Sequence, residues 1–295
     1  MQAVFIQKTG GPDVLEFTKD FEKPDITIGQ VLVRQVSTSV NPIDFKVRAG
    51  MAKIFPKVLG GDVSGVITES KSSKWKEGDR VCAMTSGIRP DIAEYGGVPL
   101  TALTAYQALD GGDLQPGKSR VLVHAGAGGV GHFAVQLAKA HWKAFVVTTG
   151  STKNQEFLKE LGADEVVDYQ KENFAEIYKD KPFDLILDSV GGIVEDRSYT
   201  VLAKNGIYMD IYSNNTDQKK IDAGKTWTIQ KYKMQFVKPS GEQLQIIAGY
   251  LEQGTVKCVL DKIFPLYQIR EAHEYAENKQ GRGKILVQIS KESRK

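Results

Sequence analysis

The chain has 295 residues, of which 41% are hydrophobic and 25% charged, and a formal net charge of +3. Its length favours two domains, and its composition excludes both a disordered chain and a membrane-spanning one, since no run of about 18 apolar residues occurs. The basic residues are spread along the chain, which argues against nucleic acid as principal ligand, and two cysteines, Cys82 and Cys258, are too few for a disulfide framework and fit a reducing compartment.

The N-terminal MQAVFIQKTGG reads directly as strand and turn, without the basic and apolar regions of a cleavable address, so a cytoplasmic protein is expected. Up to about residue 90, short β-like runs (AVFIQ, VLEFT, QVLVRQVSTSV, VSGVIT, DRVCAM) alternate with turn segments such as GGPD, KPDITIG and KWKEGD. From about residue 104 the pattern changes to helix and strand in alternation. AYQALDGG reads as helix, VLVHAG as strand, GGVGHFAVQLAKAHW as helix and KAFVVTTG as strand. TKNQEFLKELGA, DEVVDY, NFAEIYKD and FDLILDSVG continue the series. Such alternation implies parallel strands with helical crossovers. A longer crossover after KNGIYMDIYS leads to the strand-like KMQFVKPS and the helix GEQLQIIAGYLEQG, and the last forty residues return to short strands flanking one helix. The expected class is α/β: a doubly wound Rossmann domain, 104–255, inserted in a β-rich domain, 1–103 completed by 256–295, with a ligand cleft between the two.

The chemistry concentrates at VLVHAGAGGVG, where Gly126, Gly128 and Gly131 fall on the spacing G-x-G-x-x-G. With a strand before it and a helix after it, this turn is the form that binds a dinucleotide: one glycine for the bend, one for close approach of the pyrophosphate, one for helix packing, and a helix N-terminus aimed at the phosphates. Gly126, Ala127, Gly128, Gly129 and Val130 are the expected cradle. About 20 residues beyond the turn, dinucleotide sites selective for NAD carry an acid. Here the strand ends in Thr149, Gly150, Ser151, Thr152 and Lys153, and these hydroxyls and the cation suit a 2′-phosphate, favouring NADPH. A solvated surface lysine is the other reading of Lys153.

Several further stretches make the chain similar to the medium-chain dehydrogenases/reductases, in the zinc-free quinone oxidoreductase and enone reductase branch, whose first domain is GroES-like. They are TGGPDVLEF, SVNPIDFKVRAG, LGGDVSGVI, EGDRV, LTAYQAL, AGAGGVG, LGADEVVDY, DLILDSVGG and GRGKILVQI, in the family's order. NPIDFK and GGVGHFAVQLAK also resemble the chloroplast-envelope-type quinone oxidoreductases of plants, which implies a peripheral membrane association as an alternative location. Zinc-dependent relatives carry a cysteine and a histidine where this chain has Asn41 and Gly61, so no metal is expected.

The resemblance implies roles for particular residues. Asn41 stands near nicotinamide and substrate, Thr104 beside the nicotinamide ring, and Lys46 in the substrate cleft, where it stabilises an enolate or relays a proton. Tyr169 and Val190 match cofactor-contacting positions. Other readings stay open: Asn41 as a turn residue before Pro42, Lys46 paired with Asp44 or simply solvated, and Tyr169 packed at a strand end. The resemblance further implies a homodimer paired through KMQFVK. One departure stands out, because relatives carry more chain between the Ala93, Glu94, Tyr95 motif and Leu103. The function expected is hydride transfer from NADPH to quinones or to the conjugated double bond of α,β-unsaturated carbonyls. The alternative is a catalytically weak nucleotide-binding protein of the same fold with a stress-related or RNA-associated role.

Overall fold

The computed structural model describes residues 1–84, 87–90, 96–212, 231–234, 237–278 and 281–290, so the Ala93, Glu94, Tyr95 motif lies outside the described residues. The chain divides into two compact units. The first comprises Met1–Leu100, Pro239–Leu244 and Cys258–Lys295, and the second Thr101–Lys238 and Gln245–Lys257.

In the first unit, residues rich in β-branched side chains form strands β1 (Ala3–Ile6), β2 (Glu16–Thr18), β3 (Val31–Val40), β4 (Lys57–Val58), β5 (Asp62–Ser70), β6 (Arg80–Met84) and β7 (Gly87–Pro90). Helix α1 (Pro42–Lys46) follows β3 directly, with Pro42 at its first position, where a missing N–H costs nothing. Helix α2 (Pro99–Asp110) starts at the end of this unit and continues into the second.

The second unit alternates: β8 (Arg120–Val123), α3 (Gly131–Ala140), β9 (Phe145–Gly150), α4 (Gln155–Glu160), β10 (Glu165–Asp168), α5 (Phe174–Ile177), β11 (Phe183–Asp188), α6 (Ile193–Tyr199), β12 (Leu202–Asp210) and β13 (Lys231–Met234), while α7 (Gly241–Glu252) begins in the Pro239–Leu244 stretch of the first unit and continues into the second. Its sheet has the order β10-β9-β8-β11-β12-β13, all parallel. Read from β8 outwards this is 3-2-1-4-5-6, the doubly wound dinucleotide-binding order, with its switch point between β8 and β11. Strands covered on both faces need unbroken apolar runs, and Val121, Leu122, Val123, Leu185 and Ile186 are fully buried. Leu122, Val147, Val167, Phe174, Phe183, Ile186, Val201 and Tyr208 form a core here.

The chain returns to the first unit with β14 (Leu260–Pro265), α8 (Ile269–Glu277) and β15 (Lys284–Gln288). One sheet has the order β14-β15-β3-β5-β6-β7, antiparallel except for β14 with β15, and β2-β1-β4 is a smaller antiparallel sheet. Val4, Ile6, Leu15, Val40, Phe264, Ala272 and Val287 pack into its core. Arg48, 2% exposed, binds both oxygens of Glu277 at 2.8 and 3.1 Å and donates to the Gly10 carbonyl. It also meets His273 Nδ1 at 2.9 Å, and burial with the Arg48 charge pushes that imidazole down to about 4, so the neutral ring accepts.

Three elements differ from the sequence reading. Helix α6 was not expected, because Gly191 and Gly192, with φ of 73° and 62°, mask the start of IVEDRSY. Helix α1 lies within a motif carrying no helical periodicity. Strand β13 sits at Lys231–Met234, upstream of most of KMQFVKPS, whose Gln235 and Phe236 lie outside the described residues.

Candidate functional site

The glycine turn follows β8. Gly126 donates to the Thr149 carbonyl (3.0 Å) and Gly128 to that of Ala125 (2.9 Å), bringing the chain round into α3, which Val130 caps. A Cβ on Gly126 would stand 2.0 Å from Thr148 Oγ1, and one on Gly131 2.2 Å from the Ala125 carbonyl, so both positions are closed to larger residues by packing. Gly128 differs. The nearest atom to its Cβ would be the Ala125 carbonyl oxygen at 3.2 Å, a tight contact but a less severe one than at the other two glycines. Ala125 takes a positive φ of 54°, and its N–H donates to Thr149 Oγ1 at 3.1 Å.

His124 secures this corner, meeting Ser198 Oγ at 2.9 Å and Thr149 Oγ1 at 3.3 Å. Burial pushes its imidazole down to about 4, so it adds no charge. His132 Nδ1 lies 2.9 Å from the Gly128 carbonyl, within the first turn of α3. Ala127 is buried, whereas Gly128, Gly129 and Val130 are half-buried. This cradle, half-buried from Gly128 to Val130 and backed by the positive end of a ten-residue helix, fits a pyrophosphate.

At the end of β9, Ser151 opens the turn Thr152–Asn154, on which Lys153 is exposed. The Thr152 hydroxyl donates to Asp168 Oδ2 (2.5 Å), and its N–H to Gln170 Oε1 (3.1 Å). Those two bonds latch the turn to the segment carrying Tyr169, which is 61% exposed. The sequence reading found no acid here, yet Asp168, at the end of β10, pairs in register with Gly150. Thr152's hydroxyl, with the Gln170 N–H and the Lys171 ammonium, holds its carboxyl below the usual range and occupies its oxygens. Beyond β11, buried Asp188 accepts the Tyr208 hydroxyl and the N–H groups of Val190 (2.7 Å) and Gly191 (3.2 Å). That loop presents Val190, 41% exposed.

In the first unit, Asn41 is fully buried in a polar cluster. Its Nδ2 donates to Asp62 Oδ2 (2.8 Å) and Ser39 Oγ (3.3 Å), and its Oδ1 accepts from Lys284 Nζ. Asp62 also accepts the Ser39 hydroxyl at Oδ2 and the Leu100 N–H at Oδ1 (2.7 Å), in the first turn of α2. Asp44 accepts the backbone N–H of Asn41 at 2.8 Å, and burial raises its carboxyl to about 6. Lys284 is 2% exposed, and burial pulls its ammonium below the usual lysine range against the opposing pull of Asp62. Beside it the Cys258 thiol is pushed up to about 12 and stays protonated.

The three residues singled out for chemistry are thus placed differently. Asn41 has its amide committed inside the protein, Lys46 closes α1 and is half-buried, and Thr104 is 7% exposed on α2. The sequence reading missed Asp62 and Lys284 as partners of Asn41. The available signal was an acid opening the apolar strand DVSGVI and a lysine opening KILVQI. Among the described residues no group of three or more His, Cys, Asp or Glu could hold a metal ion, and no helix is long and apolar enough to cross a membrane.

Comparison with known proteins adds the relatives. Residues 27–112 match the alcohol dehydrogenase GroES-like domain family, and 161–287 the zinc-binding dehydrogenase family. The chain is 30% identical to the zebrafish NAD(P)H oxidoreductase RTN4IP1, mitochondrial, over 100% of this chain and 92% of that protein. That alignment runs over 361 positions, more than the 295 residues present, so the relative carries segments this chain lacks. It is 32% identical to the Arabidopsis thaliana NADPH-dependent alkenal/one oxidoreductase, chloroplastic, over 97% of this chain and 79% of that protein. The quinone oxidoreductase from Coxiella burnetii superposes with a TM-score of 0.89 at 29% identity, covering 98% of this chain and 99% of that one.

Proposed function

Since the chain belongs to the medium-chain dehydrogenase/reductase family, in its zinc-independent quinone oxidoreductase branch, we propose that it is an NADPH-dependent reductase of quinones or of the conjugated double bond of α,β-unsaturated carbonyls. The observation that carries this reading is the end of β9, where Ser151 and Lys153 stand on a turn latched to the segment of Tyr169 and the acid that pairs in register with the end of β9, Asp168, is already satisfied. A 2′-phosphate is favoured there over a bare ribose hydroxyl pair. The substrate class is supported by the relative named for alkenals and enones.

NADPH, when bound, supplies the hydride. Gly126 to Val130 and the N-terminus of α3 would hold its pyrophosphate, Ser151, Lys153 and Tyr169 its 2′-phosphate, and Val190 would line the dinucleotide. An enone accepts hydride at its β-carbon, and the displaced π electron pair moves to oxygen as an enolate. Lys46 stabilises that negative charge and directs the proton that completes the α-carbon. Thr104 would stand beside the nicotinamide ring. Asn41 acts by holding the start of α1, the helix that Lys46 closes, and two copies pair through the β13 edge.

The test is loss of nicotinamide absorbance with NADPH, and separately NADH, over a panel of enones, alkenals and quinones. Turnover is expected with NADPH well above NADH. Tight NADPH binding without turnover of any acceptor would replace the reductase with a nucleotide-binding protein, in keeping with the segments this shorter chain lacks.

A further inference from the structure

A buried lysine is an unusual choice of core residue. Apolar residues of similar volume generally serve stability as well as or better than a buried ion pair, so a retained pair points to something other than stability. Lys284 opens β15 between apolar neighbours and is 2% exposed, yet its ammonium faces a carboxamide and two carboxylates. The groups around it come from three places in the fold: Asn41 and Asp44 at the start of α1, Asp62 on β5, and the protonated Cys258 before β14. Asn41 cannot turn over without exchanging its acceptor and donor ends, which would set an NH₂ against the ammonium and an oxygen against Asp62. The carboxamide therefore has one orientation, fixed by charge at both ends. Asp62, gripped in the same way, spends its other oxygen on the Leu100 N–H, four residues along the chain from Thr104.

We propose that Lys284 is a positioning residue for the reductase chemistry, its buried ammonium locking Asn41 and Asp62 so that the start of α1, the helix that Lys46 closes, is held in one arrangement; this rests on the reductase reading above. The lysine touches neither substrate nor cofactor. Its charge also bears on Asp44, whose carboxyl burial raises: the Asn41 N–H and the cation favour the carboxylate, while Asp62 opposes it. A residue that merely filled space would do neither.

Two substitutions separate charge from geometry. Lys284→Met removes the cation at nearly constant volume, and Lys284→Arg keeps it on a planar group that cannot take the ammonium's place without moving Asn41. NADPH affinity, read by fluorescence titration, is expected to stay within about twofold in both, since the cradle lies in the other unit. In both, kcat for an enone is expected to fall tenfold or more. In Lys284→Met the acid limb of the kcat/KM profile moves to higher pH, because Asp44 no longer has the cation that favours its ionised form. In Lys284→Arg the limb stays where the wild type has it. If Lys284→Met does not fold, Lys284→Arg decides alone: lower kcat with intact NADPH binding supports the assignment. Unchanged kcat in a folded variant beside an active wild type overturns it and leaves the reductase reading intact. A wild type that turns over no acceptor overturns both.

Discussion

The glycine turn of the second unit and the Asn41 cluster of the first both bury hydrogen-bonding groups, by opposite means. The turn uses backbone N–H groups, a threonine hydroxyl and a histidine that burial keeps neutral, so its electrostatic field is left for an anionic ligand to satisfy. The cluster uses full charges that satisfy each other, Lys284 against Asp62, with Asn41 between them. On the proposed function the turn receives a ligand, whereas the cluster holds its own backbone still. Replacing one partner should therefore hurt the cluster's stability most and the turn's binding most.

The sharpest break in this contrast is Asp62→Leu, which leaves the Leu100 N–H and the Asn41 amide without their buried acceptor and the Lys284 ammonium without the opposing charge of Asp62. Urea unfolding is expected to show a loss of about 3–5 kcal/mol. Next comes Gly126→Ala. The added methyl would press on Thr148, so a loss of about 1–3 kcal/mol in thermal unfolding is expected, together with weaker NADPH binding. Lys153→Ala should leave stability alone and act on one ligand only, lowering NADPH affinity roughly tenfold to a hundredfold in calorimetry while NADH affinity is unchanged.

Acid sharpens the comparison through slopes of opposite sign. Asp44 titrates at about 6 in the folded chain against 3.8 for the free group, so its contribution to stability is full below about 4 and is lost as pH rises through 6. His124 titrates at about 4 against 6.5, so its contribution is full above 6.5 and is lost as pH falls through 4. The stability of the wild type relative to Asp44→Asn should fall between pH 4 and 6. Relative to His124→Gln it should rise over the same interval, each by roughly 2 kcal/mol in chemical denaturation.

Locality explains which of these regions the sequence discloses. The turn, its strand and its helix are continuous in the chain, and three glycines at fixed spacing have a steric reason that the structure bears out at Gly126 and Gly131. The parallel sheet was legible for the same reason, as alternating periodicities. The cluster joins Asn41 to Asp62 over 21 residues and to Lys284 over 243. Nothing in a linear pattern reveals that a strand's opening lysine is buried, and burial is what gives the group its meaning. Asp168 escaped because the sequence argument looked only along β9, whereas the acid enters from the neighbouring strand, as parallel pairing permits.

The most direct measurement is product analysis by NMR after reduction of an enone with NADPH carrying deuterium at the transferring carbon. The expected product is the saturated ketone with deuterium at the β-carbon and hydrogen from solvent at the α-carbon. An allylic alcohol labelled at the carbonyl carbon, or a product without deuterium, would contradict hydride transfer to the conjugated double bond.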